Sequence, residues 1–182
     1  GASLQAPGIS HHNDMKAIRM GGYSQGNSVR LNSVVNVFQE SGFDTQAVGN
    51  IEVVQWEKLI CNVAYSGPCA LTGLTVGGVL DDPIVGPVSR AAAVEAWEVA
   101  RKRNIPVVVD DPIAYVRDFA ERMRAAKPSV LLDIEAGRRS EIDVINGAVE
   151  REAMRVDAVA PVNATIAALV RSLEERTIIA GN

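Results

Sequence analysis

Lys58 and Asn62 stand four residues apart in the stretch that runs from Ile51 to Ser66. Side chains at that spacing are neighbours on a helix. An ammonium beside an amide can act on a carbonyl compound. The lysine donates a proton to an oxygen under reduction, and the amide holds the polar end of the substrate. Wound as a helix, the stretch puts Val53, Trp56, Leu59, Ile60 and Val63 in an apolar stripe. Gln55, Lys58, Asn62 and Tyr65 fall opposite it. Spacing alone fits a solvated face as well as the lining of a cleft, and both readings stand.

A second constellation runs from Ser129 to Gly147 and is unusually polar for its apolar content. Glu141 falls in a first helical turn, where the helix dipole favours a carboxylate. It can pair with Arg138 and Arg139 at the surface, or sit beside an active-site lysine and tune its protonation. Gly147 inside a helix costs about 1 kcal/mol against alanine, which suggests close packing on another element. His11 and His12 read as an ordinary loop pair, and no metal site is expected. Asn146 and Asn163 read as helix or loop polar contacts, and Cys61 as a packing residue. Gly77-Gly78 is not a phosphate loop, because no Lys-Ser/Thr comes after it, and no GxGxxG occurs in the chain.

The elements that must carry these residues are mostly helical. Residues 1–28 hold Gly, Ser, Asn and His with short apolar pieces, and Ala17–Met20 before Gly21-Gly22 reads as a strand and turn. Val29–Glu40 reads as a helix with Leu31, Val34, Val35 and Phe38 on one face and Gly42 at its end. Phe43–Val48 has room for a short strand. Asn50 is positioned to cap the helix from Ile51, and Gly67-Pro68 should break or bend it near Ser66. Gly73, Gly77 and Gly78 should loosen the next stretch of chain. Asp82-Pro83 and Asp111-Pro112 each read as an N-cap followed by proline, opening helices to Arg103 and to about Ala126. Pro128-Ser129 opens a short helix through Glu135, Ser140 with Asp143 reads as a capping box, and Pro161 starts a last helix. The expectation is six or seven helices, an all-α domain with a small N-terminal β fragment.

Composition narrows the function. The chain has 182 residues, 47% hydrophobic and 22% charged, with only 4% aromatic, which suits a folded core of closely packed aliphatic helices. That length is short for an enzyme needing both a nucleotide and a substrate domain. Eighteen basic against 22 acidic residues give a net charge of −4, and no basic run exceeds Arg101-Lys102-Arg103, so a nucleic-acid partner is not expected. Cys61 and Cys69 stand apart from any His or Cys cluster, which fits a reducing cytoplasm. No apolar run approaches the roughly 18 residues of a membrane span, and no membrane partner is expected. Gly1-Ala2-Ser3-Leu4 lacks signal-peptide character and an initiator Met, as expected of a processed or truncated chain.

Taken together, the segments resemble the C-terminal half of the ketopantoate reductases (2-dehydropantoate 2-reductases). The resemblance runs over about residues 5–175, through Trp56-Glu57-Lys58-Leu59 with Asn62, Ala70-Leu71-Thr72-Gly73 and Glu95. It continues through Ser129…Asp133, Ser140-Glu141-Ile142-Asp143…Asn146-Gly147 and Pro161…Asn163. It implies a mainly α chain whose C-terminal domain is like that of 6-phosphogluconate dehydrogenase. Residues 1–50 would be the remnant of an NADP-binding Rossmann domain, and 51–182 a helical substrate-binding and dimerisation domain. The implied reaction is NADPH-dependent reduction of a small 2-oxo acid, ketopantoate to pantoate in pantothenate biosynthesis. Lys58 would be the general acid, Asn62, Ser129 and Ser66 would bind substrate, and Glu141 would sit near lysine, substrate and cofactor. NADPH would be held mainly by a preceding domain, and a homodimer is an expected partner. The chain departs from the family pattern where asparagines are common, at Ser66, at about Val76 and at Ala126. Two alternatives remain: another two-domain dehydrogenase of opine or hydroxyacid type, or a non-catalytic helical dimerisation module.

Overall fold

A computed structural model describes residues 2–12, 17–23 and 28–180. Among them the chain is mainly helical, with short strands confined to the N-terminal part. It divides into two compact units, Gly1–Val54 and Gln55–Asn182.

In the first unit, β1 (Ala2–Ala6) and β2 (Ile9–His12) form an antiparallel hairpin. Gly8 takes φ +80° in its turn, a conformation that glycine adopts without a Cβ penalty. The loop expected at His11 and His12 is therefore corrected: both lie in β2, because Pro7-Gly8 reverses the chain and pairs the flanking residues. β3 (Ile18–Met20) and β4 (Thr45–Ala47) pair in parallel, Ile18 opposite Thr45 and Met20 opposite Ala47. Parallel strands need a crossover, and α1 (Val29–Glu40) lies between them in the chain. Ser28 caps it by accepting from the Leu31 amide at 3.1 Å, and Gly42 follows its end at φ +87°. The apolar face of α1 is only partly covered. Val35 is buried, whereas Val34 is 42% exposed. Gln39 Nε2 donates to the Thr45 carbonyl at 2.7 Å, tying helix to strand.

The second unit is built round α2, whose helix spans Ile51–Thr72. Asn50 caps it, accepting from the Glu52 amide at 2.9 Å. The apolar stripe is realised at Trp56, Ile60 and Val63, but every residue from Val63 to Ala70 is buried. A helix buried on all faces lies inside a core rather than along its surface. Tyr65, expected on the polar face, is accordingly 2% exposed. The break expected at Gly67-Pro68 does not occur, and α2 runs four residues beyond Pro68. Proline clashes with the amide and the Cβ of the residue before it, and Gly67 removes the Cβ part of that clash. The same glycine admits a neighbour. A Cβ there would lie 2.2 Å from Ile166 Cγ2 and 3.2 Å from Asn146 Oδ1.

The glycine-rich stretch is likewise ordered. Gly73, at φ +73°, ends α2, and Thr75 caps α3 (Val76–Asp81) by accepting from the Gly78 amide at 3.2 Å. Two unpaired first-turn amides of α3 find carbonyls across the fold. Val76 donates to Ala126 at 3.0 Å and Gly77 to Arg124 at 2.9 Å. A Cβ on Gly77 would meet the Arg124 carbonyl at 2.9 Å, so this backbone approach requires glycine. These bonds use the residues expected to finish the next helix, and α5 (Pro112–Arg122) stops short of Ala126. Asp111 caps α5 as expected. Asp82 accepts from Ile84 and Val85, both at 2.8 Å, ahead of α4 (Val85–Lys102). α6 (Ser129–Glu135) has the expected bounds.

The capping box at Ser140 is corrected. A single 3-10 turn (Ile142–Val144) precedes α7 (Asn146–Met154). The Ser140 amide and hydroxyl both donate to Glu174 on α8 (Pro161–Ala180). Asp143 instead binds Arg171, Nε to Oδ1 at 2.6 Å.

Four helices meet in one polar chain. Asn146 and Asn163 are fully buried. Asn146 Nδ2 donates to the Val63 carbonyl at 3.1 Å and to Asn163 Oδ1 at 2.9 Å. Asn163 Nδ2 donates to the Ala92 carbonyl at 2.9 Å and to Glu95 at 2.8 Å. Glu95 also accepts from the Val162 and Asn163 amides at 2.8 and 2.9 Å, capping α8 from another helix.

Replacing Gly67 with alanine should destabilise the chain by about 1–3 kcal/mol, because the added methyl displaces the buried Ile166 side chain. Denaturant unfolding measures this, and an unchanged midpoint and slope would contradict the packing described.

Candidate active site

The second unit contains a cavity of about 170 Å³ walled by residues from separate stretches. α2 contributes Asn62 and Ser66, and α6 contributes Ser129 from its first residue. Among the described residues, none of these three side chains has a hydrogen-bond partner. Ser66 is buried, Asn62 half-buried and Ser129 exposed, and together they line the cavity with an amide and two hydroxyls able to bind a polar solute.

The opposite wall is apolar. Val76 opens α3, Phe119 lies late in α5, and Met123 and Ala126 lie in the segment after it. The backbone bonds from α3 to Arg124 and Ala126 hold this wall together. Ser66, Val76 and Ala126, the three positions that depart from the expected asparagine pattern, all line the same cavity.

Tyr65 and Cys61 complete the floor. The Tyr65 hydroxyl donates to the Val116 carbonyl at 3.0 Å, and its ring stacks on Phe119 at 6.0 Å. Burial pushes its phenol up to about 12. Burial also pushes the Cys61 thiol up to about 11, against a weaker opposing hydrogen bond from Tyr115, and the Cys69 thiol to about 12. Both thiols therefore stay neutral in the physiological range and serve as packing groups.

The structure brings together Asn62, Ser66 and Ser129 but not every expected site residue. Lys58 lies one helical turn before Asn62 on the same side of α2, exposed and outside the cavity wall. Glu141 is exposed just before the 3-10 turn and also lies outside the wall. The expected surface pairing of Arg138 with Glu141 is corrected, because Arg138 Nη2 binds Asp133 at 2.6 Å. Sequence reasoning missed Lys127, which lines the cavity two residues before Ser129. A cation beside a candidate binding serine was the available signal. Tyr65, expected on the polar face, is instead buried, whereas Cys61 is the packing residue expected.

The fold and cavity define a helical domain with a small cleft lined by both polar and apolar side chains. Residues 50–174 match the family described as Ketopantoate reductase PanE/ApbA C terminal, and the chain belongs to it. The chain is 29% identical over 171 residues to a 2-dehydropantoate 2-reductase of Halobacterium salinarum, a match covering 94% of this chain and 56% of that protein. The crystal structure of 2-dehydropantoate 2-reductase from Methylococcus capsulatus is similar with TM-score 0.87 at 30% identity, over 97% of this chain and 61% of the other. A D-mandelate dehydrogenase solved with NADH and anilino(oxo)acetate shares the fold, with TM-score 0.85 at 22% identity over 97% of this chain and 58% of the other. The chain thus spans little more than half the length of these relatives.

Iodoacetamide near neutral pH should leave Cys61 and Cys69 unmodified in the folded chain and label both after denaturation. Labelling of the folded chain at the rate of a free thiol, read by intact mass, would contradict their burial.

Proposed function

We propose that this chain is the substrate-binding part of an NADPH-dependent 2-oxo acid reductase, and that its cavity holds the oxo acid. The observation that carries this reading is the meeting of Asn62, Ser66 and Ser129, none with a protein partner, on one cavity. Lys58 stands one turn away along the same helix face. Asn62, Ser66 and Ser129 orient the substrate through its oxygens. The Lys58 ammonium donates its proton to the carbonyl oxygen as that carbon is reduced, and until then its charge stabilises the developing alkoxide. Glu141 is assigned a place near the lysine, the substrate and the cofactor. NADPH, when bound, supplies the hydride.

Residues 1–50 fit the tail of a nucleotide-binding domain, and the parallel β3–α1–β4 unit supports that reading. Residues 51–182 act as the substrate and dimerisation domain. The pyrophosphate of a dinucleotide needs a glycine-rich turn at a helix N-terminus, and none of the 182 residues forms that motif. The chain alone should therefore bind NADPH more weakly than micromolar. Calorimetry that finds micromolar or tighter binding would contradict this.

Ser66, Val76 and Ala126 on the cavity wall support a second reading of specificity. The wall has fewer amides than the family pattern, so the intact enzyme reduces a related 2-oxo acid or holds ketopantoate through different contacts. A site that has lost polar partners discriminates against a substrate that needs them. A panel of 2-oxo acids assayed with the intact protein by NADPH oxidation separates the two, and a clear preference for ketopantoate would remove the related-acid reading. In the same assay Lys58→Ala should lower kcat by roughly 10²–10⁴-fold, the usual contribution of a general acid. Unchanged turnover would refute the role given to Lys58.

A further inference from the structure

Lys127 is the cation on the cavity wall, and none of the roles above uses it. It stands two residues before Ser129, separated by Pro128, whose ring fixes φ at about −65° and limits how the two can move apart. Its ammonium binds Glu135 Oε1 at 2.6 Å, with the two side chains 41% and 44% exposed. Ion pairs this exposed hold their partners weakly. An ammonium also has three donors, and Glu135 occupies one. Two donors therefore remain on a lysine that lines the same cavity as Asn62 and Ser129.

The three polar groups already assigned are all neutral. A 2-oxo acid carries a full negative charge on its carboxylate, and burying that charge without a cation is costly. Lys58 is assigned to the carbonyl oxygen and lies outside the wall. We infer that Lys127 is a specificity-determining residue that receives the carboxylate of the oxo acid, with Glu135 as the internal competitor that holds the ammonium when the cavity is empty. The inference rests on the reading of the cavity as an oxo-acid site. It extends that reading by naming the group that selects an acid over a neutral carbonyl compound. No covalent step is involved, only an exchange of the ammonium's partner from one carboxylate to another.

The test is a chemical-shift titration of the 182-residue chain with 2-oxo-3-methylbutanoate and with its uncharged primary amide. Asn62, Ser66 and Ser129 resonances report occupancy. In the unmodified chain the acid should bind roughly tenfold or more tightly than the amide, as expected for a charge-assisted hydrogen bond. In Lys127→Met that preference should vanish, with amide binding unchanged. In Lys127→Arg it should largely return. Glu135→Gln should strengthen acid binding and leave the amide unaffected. Lys127 is exposed, so its variants are expected to fold, and unchanged dispersion of the remaining resonances checks this. An acid preference that survives Lys127→Met, or no saturable shift at the cavity with either probe, would overturn the inference. The reductase reading stands or falls separately, on whether the intact protein oxidises NADPH with any 2-oxo acid.

Discussion

The buried hydrogen-bond chain from Val63 through Asn146 and Asn163 to Glu95 is the constraint on which the helical unit depends. It joins α2, α7, α8 and α4 in a region where neither asparagine touches solvent. Losing one of these buried bonds would cost about 1–3 kcal/mol, so each helix is held to the position at which these donors are met, although Asn146 Oδ1 itself has no partner among the described residues. Hydrophobic contact resists helix separation but permits sliding. Directional bonds of 2.8–3.1 Å do not. Gly67 has the same effect from the other side. Its missing side chain lets Ile166 and Asn146 lie against α2, and its place before Pro68 lets α2 continue unbroken.

A fixed α2 explains the cavity. Asn62 and Ser66 lie four residues apart on a helix held at the neighbouring positions Val63 and Gly67 by Asn146 and Ile166. The facing wall is set independently, by backbone bonds from the first turn of α3 to the carbonyls of Arg124 and Ala126. Ser129 comes three residues later as α6 begins. The polar and apolar walls thus come from two rigid pieces, and catalytic geometry needs rigid support of this kind. Lys58 and Glu141, which carry the proposed chemistry, lie outside the walls and are exposed.

Much of this was legible in the sequence where local chemistry governs. Asn50 and Asp111 accept the amide bonds that their residue types predict, whereas Asp82 accepts from Ile84 and Val85 but the helix opens at Val85, two residues beyond the expected Pro83. The mainly helical fold and the family resemblance followed from such local signals together with the Lys58/Asn62 and Ser129–Gly147 patterns. The failures lie where a distant contact outweighs a local preference. Pro68 and the glycines before and after it read as breakers, yet tertiary packing turns Gly67 and Gly77 into points of close approach. Ser140 read as the start of a capping box, yet Glu174 from a helix far along the chain takes its donors. Asn146 and Asn163 gave no sign of forming one network, because asparagine occurs equally in loops and caps. Lys127 carries little signal of its own, because cations near a helix are common, and it is distinguished only by lining the cavity.

A crystal structure of the chain soaked with a 2-oxo acid tests the central claim most directly. The account predicts the acid within the cavity, with its oxygens in hydrogen-bond contact with Asn62 and Ser129 and its carbonyl oxygen turned toward the Lys58 end of α2. An acid bound elsewhere on the helical unit, with this cavity holding only water, would contradict it.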